Sequence, residues 1–146
     1  MDAATDGTLS YEILTPTGRI AQGACDTLVA PAVEGAVGIL PHHAPYLAAL
    51  GTGVLRFKRG GDETRVFVSG GFIEVLENRV IVLAELAESG TAIDVERARK
   101  ALARSEARLA LGAGPVTAGE ATDRLRARRA ADRAKARLKA AGQIPA

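Results

Sequence analysis

Hydrophobic residues alternate with polar ones in short pieces over the first ninety positions: Leu9, Tyr11 and Ile13 in one segment, Val66 and Val68 in another, Val80 and Val82 in a third. A period of two is the signature of a strand with one buried face, and turn residues punctuate these runs. Arg59-Gly60-Gly61-Asp62 and Glu77-Asn78 each read as a hairpin reversal, since Gly and Asn tolerate positive φ. The pattern predicts an antiparallel meander. No helix of crossover length separates the strands, so a sandwich or flattened barrel is expected over a parallel sheet.

The alternation breaks between Val33 and Leu50, where Gly35, Gly38, Pro41 and Pro45 predict a shaped loop that presents His42, His43 and Tyr46. From Asp94 onward the period becomes helical. Ala98, Ala101, Leu102, Ser105 and Leu109 form one stripe, which Gly112 and Gly114-Pro115 terminate. A second helix is expected from about Thr117 to Ala141, with Ala127, Ala130, Ala131, Ala134, Leu138 and Ala141 as its apolar face. Alanine seams allow close approach but bury little, so the docking of this hairpin is expected to be weak. The fold class expected is therefore an all-β sandwich followed by a small α-helical hairpin, with domains at 1–92 and 93–146.

Charge sharpens that division. The whole chain of 146 residues is nearly neutral at +2. Residues 1–92 carry 6 basic against 11 acidic side chains, a net of −5, and residues 93–146 carry 13 against 6, a net of +7. All five aromatics lie in the first part. The cations of the second helix (Arg124, Arg126, Arg128, Arg129, Arg133, Lys135, Arg137, Lys139) circle most of it. No aromatic interleaves them for base stacking, which argues against nucleic acid, and an acidic protein surface suits them equally well.

Other chemistry is sparse. Cys25 is the one cysteine and reads as a small strand residue, with no second thiol for a disulfide or a CxxC pair. No P-loop, HExxH pair or GxSxG elbow occurs, so no catalytic residues and no metal site are expected, and adjacent His42 and His43 alone do not make a metal site. The longest run of large apolar residues, Val80–Leu83, is far below the roughly 20 positions of a membrane span, and Met1–Thr8 lacks signal-peptide character.

Four segments in order, Gly35-Ala36-Val37-Gly38-Ile39-Leu40-Pro41-His42-His43-Ala44-Pro45, Val68-Ser69-Gly70-Gly71-Phe72-Ile73-Glu74-Val75, Asn78-Arg79-Val80 and Ile93-Asp94-Val95-Glu96-Arg97-Ala98, resemble the epsilon subunit of F-type ATP synthases. The resemblance covers about residues 9–140. It implies a non-catalytic, central-stalk subunit on the cytoplasmic side of a bacterial inner membrane, peripheral through its complex. It implies a sandwich between gamma and the c-subunit ring, and a mobile hairpin that restrains ATP hydrolysis and reaches acidic regions of the alpha/beta head. Glu34, Gly35, Gly38, Pro41, His42 and His43 match the family's rotor contact, although Ala36 stands where many relatives have an acid. No cofactor is required, but some bacterial members bind regulatory ATP through a motif matching Ile93, Asp94, Arg97 and Ala98, with further cations matching Arg133 and Arg137 and weaker matches at Glu85 and Arg104. Reflection about Gly112–Pro115 sets Asp94 and Arg97 opposite Arg133 and Ala130. The rival readings are a free ATP-sensing module and a basic-hairpin adaptor.

Overall fold

The computed structural model describes residues 7–112, 114 and 117–145. Met1–Asp6, and Ala113 and Pro115 of the expected helix-terminating turn, lie outside the described residues. Eight strands come first: β1 (Leu9–Thr15), β2 (Gly18–Cys25), β3 (Thr27–Ala32), β4 (Gly35–Ile39), β5 (Tyr46–Ala49), β6 (Thr52–Arg59), β7 (Asp62–Leu76) and β8 (Arg79–Ser89). A 3₁₀ turn at Gly90–Ala92 leads to α1 (Val95–Ala110) and α2 (Ala118–Ala140). The sandwich followed by two helices is thus the observed architecture.

The strands hydrogen-bond in the order β2-β1-β8-β7-β6-β3-β4, and β5 pairs the far half of β7. Both predicted reversals are present: Arg59 pairs Asp62 across Gly60-Gly61, and Leu76 pairs Arg79 across Glu77-Asn78. Two expectations need correction. The meander is not wholly antiparallel, because β1 runs parallel to β8 along Ser10–Leu14 and Arg79–Leu83. The crossover that a parallel pair requires is supplied by six intervening strands instead of a helix. The second correction concerns Val33–Leu50, where the loop is confined to Leu40–Pro45. Gly35–Ile39 pairs with β3 and Tyr46–Ala49 with β7. Of the two glycines invoked there, Gly35 has φ +131° but Gly38 does not have positive φ.

One strand serves two layers. In β7 the positions that enter the inner core are Val66 and Val68 before Gly70-Gly71, and Ile73 and Val75 after it. The inward set therefore changes parity at the glycine pair, with φ +73° and +101°. A Cβ on Gly71 would overlap the Leu83 carbonyl oxygen, so the bend admits only glycine. The two layers enclose Leu9, Ile13, Leu28, Ile39, Leu55, Val66, Ile73 and Val80, and Tyr11 stacks on Phe57 at 4.2 Å across strands that are not neighbours. Cys25 is buried in this core, where desolvation pushes its thiol up to about 11.

The helices are closed by local chemistry. Asp94 caps α1 by accepting from the Arg97 N–H at 3.0 Å, and Thr117 and Glu120 form a reciprocal capping box on α2. At its C-terminus Gly142, φ +74°, donates to Lys139 O and Gln143 donates to Leu138 O, which makes a Schellman motif.

Candidate functional site

The expected contact residues separate along the short edge strand β4. Glu34 sits in the β3–β4 reversal and Gly35 opens β4, while Pro41, His42 and His43 follow the opposite end of β4, with Gly38 between them. Five residues of strand set the two groups roughly 17 Å apart. The loop of Pro41–His43 has a defined shape. The His43 N–H donates to Leu40 O at 3.1 Å and the His43 Nδ1 lies 2.7 Å from Ala44 O, a contact that fixes Nδ1 as the protonated nitrogen because a carbonyl only accepts. The His43 ring packs edge-on to Tyr46, centroids 5.7 Å apart.

On the outer face of the β5 layer, opposed pairs place Ala49, Phe72, Leu83 and Leu14 in one row across four strands. Phe72 is 57% exposed and Leu83 53%, and Leu47 on the next row is 70% exposed. No element of the described chain covers this row. Residue pattern alone missed it, and the signal available was the run Gly71-Phe72-Ile73, in which two large apolar neighbours cannot both face one core.

The other layer's outer face is partly covered, with Leu86 left 47% exposed. Phe67 lies on the opposite face of β7 from Val66 and Val68, yet its exposure is 0% because α2 lies over it. Ala136 and Ala140 pack on it with Ile93, and Val54 and Ala141 flank the cluster. The Arg137 guanidinium stands 4.4 Å from the Phe67 ring centroid, and its Nε and Nη2 both reach Glu88 Oε1 at 3.0 Å. Arg65 bonds Glu63 at 2.6 Å and directs Nη1 to Lys139 O at the end of α2, 3.4 Å away. The Arg65 and Arg56 hydrogen bonds hold the Glu63 carboxyl below its usual range. Gly90 completes the junction: a Cβ there would strike the Ala140 carbonyl oxygen.

Against α1, α2 buries Ala127, Ala131, Ala134 and Leu138 as expected, and Ala136 and Ala140 form a second apolar face toward the sheet that the sequence pattern did not show. The hairpin register differs from a reflection about the turn. Glu106 meets Lys135 at 3.9 Å and Arg99 meets Gln143 at 2.7 Å, while Ala118–Arg126 contains no buried residue. The first two turns of α2 therefore overshoot α1. Asp94 lies toward the C-terminal end of α2, and Arg133 opposite the last turn of α1. Among the residues matched to a nucleotide motif, Ile93 and Arg137 share the Phe67 junction, Ala98 is buried in the helix seam, and Asp94 and Arg97 are exposed at the start of α1. Arg133 is half-buried one turn before Arg137. Glu85 and Arg104 are exposed. Among the described residues no group of His, Cys, Asp and Glu forms a metal-binding cluster.

Residues 8–90 match the family described as ATP synthase, Delta/Epsilon chain, beta-sandwich domain, and residues 91–142 match its long alpha-helix domain. The ATP synthase epsilon chain of Carboxydothermus hydrogenoformans is 48% identical over 102 residues, 70% of this chain and 76% of that one. The chain belongs to the ATP synthase epsilon chain family. The epsilon chain of Symbiobacterium thermophilum is 50% identical over 102 residues, 69% of this chain and 73% of that one. A solved chain of the Euglena gracilis mitochondrial ATP synthase superposes with a TM-score of 0.75 at 23% identity, covering 97% of this chain and 85% of that one. One from the Tetrahymena thermophila enzyme gives 0.55 at 14%, covering 93% and 96%. Those two likenesses concern the fold. As an epsilon chain it is a non-catalytic subunit of an F-type ATP synthase.

Proposed function

We propose that this epsilon chain works as a rotor element: the sandwich binds the gamma subunit and the c-subunit ring, and the hairpin regulates ATP hydrolysis. The observation that carries this reading is the contrast between the two outer faces of the sandwich. One is covered in part by the chain's own α2 through Phe67, and the other exposes Phe72 and Leu83 in one row with Leu47 on the next. Exposed apolar rows of this kind mark a protein interface. Gamma is the partner assigned to that row, and the ring to the Pro41–His43 loop. The basic hairpin, once released, meets acidic regions of the alpha/beta head, and the whole stays peripheral on the cytoplasmic side of the bacterial membrane through its complex. The test is co-purification. Recovery with alpha, beta and gamma, lost on Phe72→Asp, supports the assignment, and a chain recovered only as a free monomer rejects it. Deleting residues 93–146 in the complex is expected to raise hydrolysis while assembly persists.

ATP as a regulatory ligand of the folded-down hairpin is supported by the shared face of Arg133 and Arg137, which lie at i and i+4 on α2. Asp94 already serves as a helix cap, and Arg137 already binds Glu88. Calorimetric titration of the isolated chain with millimolar ATP decides the point: no heat removes this part of the reading.

A further inference from the structure

Among the described residues, three non-glycine positions have positive φ: His42 (66°), Glu77 (49°) and Asn78 (62°). Left-handed backbone is disfavoured for L-residues, and such departures gather where a structure needs a particular shape. All three meet at one corner of the sandwich. Glu77 and Asn78 are the two central residues of the β7–β8 reversal, which requires positive φ at both. His42 lies 36 residues earlier, in the Leu40–Pro45 loop, and its N–H donates to the Asn78 Oδ1 at 2.5 Å. The Asn78 carbonyl in turn accepts from the Ser10 N–H at 2.9 Å. One residue thus joins the first strand, the β7–β8 reversal and the loop.

A reversal of this type is satisfied by glycine, which reaches positive φ at no steric cost. The side-chain amide of Asn78 is therefore surplus to the turn, and its carbonyl oxygen is spent on the loop. We infer that Asn78 is a positioning residue for the partner-binding loop: it holds His42 in the left-handed region and so fixes how Pro41 and His43 are presented. A loop already held in its bound shape loses less freedom on association. The inference rests on the reading of this loop as the ring contact, and it adds a residue outside the loop that governs its affinity.

The experiment compares Asn78→Gly, Asn78→Asp and His43→Ala in the assembled catalytic sector, measuring rebinding to membranes stripped of that sector. Gly keeps the turn and removes the acceptor, while Asp keeps both. Loss of one hydrogen bond corresponds to about a two- to tenfold weaker rebinding for Asn78→Gly, with Asn78→Asp close to the native chain and His43→Ala weakened. Native affinity for Asn78→Gly beside a weakened His43→Ala overturns the inference and leaves the ring contact standing. Native affinity for both variants removes the ring contact and the inference with it. Hydrogen exchange of the native chain supplies a readout independent of any variant: a protected His42 amide supports the tether, and exchange at the free-peptide rate refutes it.

Discussion

Replacing Phe67 with alanine is expected to release the hairpin without loosening the sandwich. Phe67 is fully buried, but on the outer side of β7, so its burial exists only while α2 is docked. Full burial of a phenylalanine contributes about 1.5–3 kcal/mol, and the Arg137 guanidinium over its face adds about 0.5–2 kcal/mol. Around it stand Ile93, whose burial contributes about 1.5–3 kcal/mol, the methyl groups of Ala136 and Ala140, at about 0.8 kcal/mol each, the Arg65 hydrogen bond to Lys139 O, and a half-exposed Glu88–Arg137 pair that contributes on the order of 1 kcal/mol or less. Removing the ring therefore takes away one of the two largest parts of the docking energy. At 1.4 kcal/mol per tenfold, a loss of about 2–5 kcal/mol shifts the docked-to-free ratio by roughly 30- to 4,000-fold. The assay is native-state hydrogen exchange on the isolated chain. Amides of α2 beside the sheet are expected to lose protection while those of β7 and β8 keep theirs. Val66→Ala, one position away but facing the inner core, is expected to do the reverse by lowering sandwich stability. If Phe67→Ala lowers the protection of the strands as much as that of α2, the two parts melt as one unit, and the separation of a stiff platform from a releasable arm is wrong.

Gly90→Val is expected to release the arm by a different route, because its side chain occupies the space of the Ala140 carbonyl; the same exchange measurement reports it, and retained α2 protection refutes the steric reading. Sandwich stability is expected to fall in acid. Glu63 has its folded-state pKa lowered from 4.5 by Arg65 and Arg56, so its contribution is fully present above about that pH and is lost as pH falls through the lower folded value, and Glu63→Gln should abolish that acid limb in a series of β6 and β7 amide protection against pH. Glu88→Gln is expected to reduce docking up to about fivefold without ligand, the exposed-pair range, and to strengthen any ATP binding by freeing Arg137; a titration in which both quantities move the same way refutes the competition.

The strands were legible wherever one face is buried, as at Leu9, Ile13, Val80 and Val82, because alternation follows directly from the pleat. β4 and β5 were hidden by the glycines and prolines around them, whose local signal is stronger than that of two short strands, one an edge strand and the other paired on one side only. The parallel pairing of β1 with β8 joins residues about seventy positions apart, and no local pattern carries that information. Val66 and Val68 suggest alternation, but with Phe67 between them the run is continuously apolar, which means that both faces are covered. The second face of α2 left no trace because alanine is unremarkable on any side of a helix. The hairpin register departs from a reflection because reflection assumes equal arms, and α1 has 16 residues to 23 in α2.

These particulars bear on how a ligand would control the arm. A ligand shifts a two-state equilibrium only by the ratio of its affinities for the two states, so nucleotide favours docking only if the docked chain offers it groups that the free hairpin lacks. Arg133 and Arg137 both belong to α2 and remain together in either state; they cannot by themselves supply that ratio. What docking adds is Glu88 and Phe67 from the sandwich, and Glu88 is an anion that repels phosphate. The difference must then come from the Ile93–Arg97 segment, whose Ile93 is packed in the Phe67 cluster when the arm is down. Regulation by nucleotide thus reduces to whether Asp94 and Arg97, already close to that end, contribute more than Glu88 subtracts. The same apolar cluster that latches the arm is what gives the motif at the start of α1 any influence over it.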